Sequence, residues 1–251
     1  MSQLSASSIA LIEASQGASS WRSRRVEVFD LPEGKVIVKG QRPKRGPWRH
    51  RLLKWIGTLL RSPVIRPVPV PGGEVSQAIE IKRLTQMSAS AVPVPQVLHV
   101  TNDYFVMRYL GATDLAVQLR ELGFEAFELW RQAAIYLIQT HDSGQYLSQS
   151  FARNIVIDRQ AQDFFVAGLI DFEDDPLVVM SLLDAQVRDW LLFLQSTLYG
   201  LNAPESALQP VLTELLNREN PAVRDAVLLQ SRSLVWMRHL PTSRKIFGKD
   251  L

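Results

Sequence analysis

The property of this sequence that most restricts its fold is a change of hydrophobic pattern along the chain. Between Leu11 and Lys39, apolar and polar residues alternate between turn signals, which predicts strands, whereas apolar residues recur at helical spacing from Ser181 onward. Helical and strand-like segments follow one another in between. This order predicts an α+β, bilobal protein with a small β-rich N-lobe (residues 1–110) and a helical C-lobe (residues 111–251).

The finer pattern predicts individual elements within these lobes. Gly17 is expected in a loop between the first two strands, and Lys39 at the end of the third strand. Apolar stripes predict helices over residues 74–87 and 124–140, each followed by two strands. The helical region near the end of the chain is expected to break at three prolines, which are Pro204, Pro210 and Pro221.

The composition excludes several classes of protein. The chain has 251 residues, of which 46% are hydrophobic and 21% charged, so it can bury a core and is not wholly disordered. It has no cysteine, which rules out disulfides, thiolate metal sites and a cysteine nucleophile. Its first residues do not resemble a secretory signal, and no apolar stretch approaches the roughly 18 residues of a membrane span. We therefore expect a soluble, cytoplasmic protein.

A basic insertion, residues 41–73, interrupts a chain that is otherwise net acidic. No acidic residue lies between Glu33 and Glu74. The basic segment of this insertion, residues 41–66, carries apolar side chains at helical spacing, namely Trp48, Leu52, Trp55, Ile56, Leu59 and Leu60. A cationic amphipathic helix of this kind suits an anionic membrane surface, and an insertion that packs on the N-lobe is the alternative. Nothing in it matches a recognised nucleic-acid-binding module, so we do not expect a nucleic-acid partner.

Four polar residues stand in an order that suggests nucleotide chemistry. Lys39 ends a strand, and Glu80 lies inside the next long helix. Asn154 precedes a later strand, and Asp171 directly follows another. Each of them alone is more often an ordinary surface residue, turn residue or helix cap. Together they match a need of phosphoryl transfer, in which a lysine contacts phosphates, a carboxylate holds the lysine, and oxygen ligands bind Mg²⁺.

In this order and context the chain resembles the protein-kinase-like superfamily. The resemblance is to its small bacterial members, the lipopolysaccharide-core sugar kinases (Kdo and heptose kinases) and their RIO-like relatives, and it runs from about Leu11 to Ser196. It rests on four stretches of sequence: VIVK, AIEIKRLTQMSASAVPVPQVL, HDSGQYLSQSFARNIVID and GLIDFED. The resemblance implies a kinase-like fold with ATP and Mg²⁺ bound between the lobes.

The resemblance also implies roles for the matching polar residues. Lys39 and Glu80 would form an ion pair, while Asn154 and Asp171 would be the metal ligands. Asp189 resembles the buried helix aspartate that braces the catalytic loop of that family.

Two further stretches would contact the nucleotide by the same resemblance. Met107 to Leu110, with Tyr109 among them, would be the adenine-binding hinge. Gly17 would mark a reduced phosphate loop, because SQGASS offers one glycine where the family has a double-glycine pattern.

One position departs from the family pattern. Five residues before Asn154, where the family has an aspartate that accepts the proton of the substrate hydroxyl, this chain has Gln149. Glutamine has no carboxylate to accept a proton, and the loss of a general base typically costs roughly 10²–10⁴-fold in rate.

Two functions from different classes follow as expectations. The first is an ATP-dependent phosphotransferase, slow or unconventional at Gln149, that acts on a sugar hydroxyl of a lipopolysaccharide-type glycan at the inner face of the cytoplasmic membrane. The second is a nucleotide-binding pseudokinase that serves as a membrane-associated scaffold or regulator. Another nucleotide-dependent transfer, or a basic RNA-associated RIO-like protein, fits the residues less directly.

Overall fold

The computed structural model describes residues 4–43, 64, 66–161 and 163–233, and these residues form an α+β protein, as expected. The strands are β1 (Val26–Leu31), β2 (Gly34–Gly40), β3 (Val97–Val100), β4 (Tyr104–Arg108), β5 (Thr113–Asp114), β6 (Ile155–Gln160) and β7 (Asp163–Leu169). The α-helices are α1 (Ala6–Ala14), α2 (Trp21–Arg24), α3 (Gly73–Ala89), α4 (Leu115–Leu122), α5 (Phe127–Asp142), α6 (Leu182–Leu201), α7 (Glu205–Arg218) and α8 (Pro221–Ser233).

The N-terminal sheet is antiparallel, with strand order β1-β2-β4-β3. Side chains alternate between its two faces. Val36 and Val38 of β2 are fully buried in a small core against α1 and α2, together with Val106 of β4. Lys39 has the opposite orientation, because it follows Val38 in the strand and pairs with Phe105 of β4, which belongs to the larger core. The alternation of β2 therefore directs Lys39 towards α3 and the helical part of the chain.

The prediction of strands before Val26 is wrong, because two helices occupy this region. Ser5 caps the N-terminus of α1, because its hydroxyl accepts a hydrogen bond from the Ser8 backbone N–H. Its Ile12 is fully buried against the sheet, and the indole N–H of Trp21 donates to the Ile12 carbonyl at 3.0 Å. As a consequence, Lys39 lies on the second strand in chain order and not on the third.

A second antiparallel sheet, with order β5-β6-β7, begins the C-terminal part of the chain. Two long helices pack beside it. Trp130 of α5 stacks on Phe193 of α6 with ring centroids 5.8 Å apart, and its indole N–H donates to Thr197 at 3.0 Å. Trp130 and Phe193 are almost completely buried, so these contacts form the centre of the helical packing.

The two sheets meet where the lobes were expected to join. β4 ends at Arg108 and β5 begins at Thr113, so the connection is four residues long. Gly111 in this connection lies against β6, because an added Cβ would come within 2.5 Å of the Ile157 carbonyl oxygen. The larger core continues across the junction, since Phe105 of β4 belongs to the same buried cluster as the C-terminal helices.

Two further expectations concern the rest of the chain. Pro210 does not break the helical region, because it lies inside α7, whose later turns bury Leu215 and Leu216. Residues 44–63 and 65, which include the apolar face expected of the basic segment, lie outside the described residues. Within the part of the chain that the structure describes, none of the helices is both long and apolar enough to cross a membrane.

Candidate functional site

The ammonium group of Lys39 lies at the centre of a cluster of carboxylates. Its Nζ is 2.7 Å from Glu80 Oε1, 3.2 Å from Asp171 Oδ1 and 3.0 Å from Glu173 Oε1. Burial lowers the pKa of Lys39, but the charges of the three carboxylates outweigh burial and raise it above its ordinary value. The lysine is therefore a permanent cation that joins β2, α3 and the segment after β7.

Glu80 reaches Lys39 because it lies on the buried face of α3. Gln77, Glu80, Leu84 and Met87 are all buried and recur at helical spacing along that face. One turn after Glu80, Arg83 extends to the loop before β6, where its guanidinium donates to Gln145 Oε1 at 2.9 Å. A helix held at this point keeps the Glu80 carboxylate in place beside the lysine.

Asp171 and Asn154 come from neighbouring backbone segments. The N–H of Ile170 donates to the Asn154 carbonyl at 3.0 Å. This bond holds the backbone before Asp171 beside Asn154, at the end of the β6–β7 pair. The Asn154 amide nitrogen donates to the Gln149 carbonyl at 2.9 Å, which leaves its side-chain oxygen as the acceptor atom. Asp171 has a φ of 73°, and its side chain is 31% exposed, so its carboxylate faces solvent on one side and Lys39 on the other.

These two residues fit a Mg²⁺ ion that is held together with phosphates. Mg²⁺ prefers oxygen ligands and commonly takes only one or two carboxylates from a protein, with waters and substrate phosphates completing its shell. The Asp171 carboxylate and the Asn154 amide oxygen are donors of this kind. No group of three or more histidine, aspartate or glutamate side chains arranged to hold a metal occurs among the described residues.

Gln149, at the position expected for the general base, contacts a carboxylate that the sequence did not single out. Its side-chain nitrogen donates to Asp174 Oδ1 at 3.2 Å, and the hydroxyl of Ser148 donates to the same oxygen. Burial raises the pKa of Asp174 above its ordinary value, against the opposing effect of these hydrogen bonds. A carboxylate therefore lies beside the amide of Gln149, contributed by the acidic run after Asp171.

Asp189 holds the loop that carries Gln149. It is completely buried in α6, and its Oδ2 accepts a hydrogen bond from the Leu147 N–H at 2.6 Å. His141 lies 3.5 Å from the same carboxylate oxygen, and its Nδ1 is 2.7 Å from Glu219 Oε2. Burial lowers the pKa of His141, but its interactions with the Asp189 and Glu219 carboxylates outweigh burial and raise the pKa to about 8.

The residues expected to contact adenine have mixed positions. Met107 is buried in the larger core, and the backbone N–H of Tyr109 is already used in a hydrogen bond to the Lys35 carbonyl at 3.2 Å. A cleft of about 190 Å³ lies beside them, lined in part by Ile37, Leu110 and Ile170. Because ordinary ligand pockets measure roughly 300–1,000 Å³, this cleft suits one ring system more than a whole nucleotide.

Gly17 does not lie between two strands as expected. It belongs to the loop between α1 and α2, with a φ of 100°, and its carbonyl accepts hydrogen bonds from the Ser20 N–H and the Ser23 hydroxyl. These contacts are local to the loop. The turn between two helices therefore accounts for a glycine at this position. A phosphate loop was expected here between two strands, and the structure has two helices instead.

Glu173 is the main residue of this site that sequence reasoning missed. Besides Lys39, it pairs with the guanidinium of Arg25 and with Arg42 Nη1 at 2.9 Å. Burial raises the pKa of Glu173, but the charges of Lys39 and Arg25 outweigh burial and lower it to about 2. The only signal in the sequence was the acidic run that begins at Asp171.

Two comparisons with known proteins found no match: no protein-family model and no curated protein matches the chain.

Proposed function

We propose that this protein is a kinase-like phosphotransferase that binds ATP and Mg²⁺ around Lys39. The observation that carries the proposal is the position of the Lys39 ammonium, which contacts Glu80 and Asp171 within 3.2 Å although the three residues come from separate segments. A buried lysine held by one carboxylate and adjacent to a second, partly exposed one is suited to phosphates accompanied by a divalent cation. The α+β architecture with two antiparallel sheets supports the proposal.

Each polar residue has a definite part in this function. Lys39 would contact the phosphates, and Glu80 would hold its ammonium in place. Asp171 and Asn154 would hold Mg²⁺, which supplies charge neutralisation to the phosphates when it is bound. Asp189 would hold the loop that carries Gln149 in position, because its carboxylate accepts a hydrogen bond from the Leu147 N–H. The cleft beside Leu110 would take the base.

The acceptor is proposed from the resemblance of the motifs. The small bacterial sugar kinases suggest a sugar hydroxyl of a lipopolysaccharide-type glycan, reached by a protein at the inner face of the cytoplasmic membrane. The basic segment, residues 41–66, would then provide attraction to anionic headgroups.

The alternative, a nucleotide-binding pseudokinase, is favoured by one contact. The amide of Gln149 donates to Asp174, so the side chain at the base position is engaged as a hydrogen-bond donor and accepts no proton. A protein of this kind would bind the nucleotide without transferring its phosphate, and would act as a membrane-associated scaffold or regulator.

Radiolabelled ATP distinguishes the two functions. Purified protein is incubated with γ-³²P-labelled ATP, Mg²⁺ and lipopolysaccharide extract, and three quantities are measured: glycolipid labelling, ADP release and the ATP retained with the protein on a filter. The phosphotransferase predicts labelling that Asp171→Asn abolishes and that Asp163→Asn, a change at an exposed aspartate of β7, leaves intact. Nucleotide binding without either product would support the pseudokinase, and the absence of binding would contradict both.

A further inference from the structure

Three cations converge on one buried carboxylate at the site. Glu173, whose side chain is only 2% exposed, pairs with Arg25, with Lys39 at 3.0 Å and with Arg42 at 2.9 Å. Such convergence of two guanidinium groups and an ammonium is the arrangement that recognises phosphate, because arginine presents paired donors to anionic oxygens. Here the anion is supplied by the chain itself.

Each of the three residues also has a contact that does not involve Glu173. Lys39 pairs with Glu80 at 2.7 Å. The Arg25 carbonyl accepts a hydrogen bond from the Gly40 N–H at 2.6 Å, and Arg25 Nε donates to the Gly40 carbonyl at 3.3 Å. The Arg42 carbonyl accepts from the Gly73 N–H at 2.7 Å, at the beginning of α3. Lys39 and Arg25 thus keep a side-chain partner without Glu173, and the backbone of Arg42 is held beside them.

Glu173, in contrast, lies on a segment without regular structure. Residues 170–175, between β7 and the short 3₁₀ turn Pro176–Val178, are neither helix nor strand. Withdrawal of the Glu173 carboxylate therefore requires no change in a helix or strand, although its neighbours Phe172 and Asp174 are buried.

Little room remains for a second anion beside Glu173. The cavity lined by Arg25, Arg42, Glu80 and Glu173 measures about 10 Å³, which is about the space of one water. A phosphate group cannot enter while Glu173 occupies this position. The charges lead to the same conclusion, because Arg25, Lys39 and Arg42 are balanced by the three carboxylates of Glu80, Asp171 and Glu173.

We propose that Arg25, Lys39 and Arg42 form a binding site for a triphosphate chain and that Glu173 closes this site as an internal anion. The triphosphate must displace Glu173 in order to bind, so the glutamate is an autoinhibitory group. The ligand class is an inorganic polyphosphate or the phosphate chain of a nucleotide. The second possibility rests on the proposed nucleotide-binding function, since Lys39 belongs to both sites.

The test compares wild type with Glu173→Gln, which keeps the shape of the side chain and removes its charge. Binding of inorganic tripolyphosphate, ATP and adenosine is measured by calorimetry, each with and without Mg²⁺. The loss of one negative charge leaves the cluster net positive, so tripolyphosphate should bind the variant at least tenfold more tightly than wild type. The variant alone should have a lower melting temperature, and tripolyphosphate should restore it.

Glu219→Gln is the matched control. Glu219 is also a buried carboxylate, but it pairs with His141 and Trp190. Its variant should lose stability without gaining affinity for tripolyphosphate. Glu173→Asp is a second variant in case Glu173→Gln does not fold. It keeps the charge but moves the carboxylate one methylene away from the cations, so it should also bind tripolyphosphate more tightly than wild type, by less than Glu173→Gln.

The outcomes separate this inference from the proposed function. Equal binding of tripolyphosphate to wild type and to the Glu173 variants would overturn the internal-anion inference, even if ATP with Mg²⁺ binds to all of them. Tighter binding of tripolyphosphate, with no further gain from the adenosine part of ATP, would support the anion site and count against a nucleotide. Tighter binding of both, with ATP the stronger ligand, would support both proposals.

Discussion

Raising the pH from 6 to 9 should lower the free energy of unfolding, because the cation of His141 is lost. In the folded protein this ring lies between Asp189 and Glu219, and its pKa is raised from 6.5 to about 8. A group whose pKa is raised by folding stabilises the protein fully below its unfolded pKa and loses that contribution as the pH rises through its folded pKa. The loss should therefore fall between pH 6.5 and about pH 8 and be complete by pH 9.

The expected magnitude follows from the difference in pKa. At about 1.36 kcal/mol for each pKa unit, a rise from 6.5 to about 8 corresponds to ~2 kcal/mol of stability. His141 is buried, with its ring inside the packing of α5 and α6, so screening by solvent reduces this value little. A loss of this size is a substantial part of the stability of an ordinary domain.

Urea unfolding, followed by tryptophan fluorescence at pH 6, 7, 8 and 9, measures the effect. Wild type should lose ~2 kcal/mol over this range, and His141→Gln should be less stable at pH 6 but nearly independent of pH. His99→Gln, a change in β3 beside Tyr104, serves as the control and should retain the wild-type dependence. A wild-type stability that is flat from pH 6 to 9, or a His141→Gln variant that keeps the full decrease, would refute the reasoning.

Two further predictions concern the loop and the basic segment. Gln149→Asp alone would place a second carboxylate against Asp174 and raise the pKa of the pair. We therefore expect the double variant Gln149→Asp with Asp174→Asn to transfer phosphate faster than Gln149→Asp alone, and faster than wild type by up to roughly 10²–10⁴-fold. Rates of label transfer by the single and double variants check this, and equal or lower activity of the double variant would contradict it. Vesicle binding should require anionic lipid, weaken with salt, and fall on charge reversal of Arg45, Arg49 and Arg51. Equal flotation with neutral and anionic vesicles, or no flotation with either, would exclude the membrane surface.

The central pair of the site was implied by the resemblance of its motifs, while the local sequence pattern gave only part of it. Lys39 lies near the end of a β-branched strand, and Glu80 lies inside a long helix. Apolar residues alone do not mark the buried face of α3, because that face also includes the polar Gln77 and Glu80. The ion pair at 2.7 Å could therefore be expected from the resemblance but not from hydrophobic periodicity.

The cations around Glu173 could not be anticipated in this way. Arg25 and Glu173 are 148 residues apart, and no period or motif connects them. The same holds for His141 and Glu219, which are 78 residues apart and meet only through the packing of the C-terminal helices. Such pairs depend on tertiary structure, so a sequence shows the charges without showing their partners.

The helix α1 was missed for a different physical reason. It is nine residues long, and its main buried apolar residue is Ile12, so its pattern is too short to distinguish a helix from a strand. What stabilises the helix is the cap at Ser5 and the contact of Trp21 with Ile12. Propensity over so few residues is decided by tertiary contacts.

Calorimetric titration with ATP and Mg²⁺ tests the nucleotide site around Lys39 most directly. The proteins are wild type, Glu173→Gln and Asp171→Asn, the last chosen because asparagine tolerates the positive φ of this position. We predict that ATP binds in a Mg²⁺-dependent manner, more tightly to Glu173→Gln than to wild type, and that Asp171→Asn loses the Mg²⁺-dependent part. Failure of wild type and Glu173→Gln to bind millimolar ATP with either Mg²⁺ or Mn²⁺, or unchanged Mg²⁺ dependence in Asp171→Asn, would contradict the account.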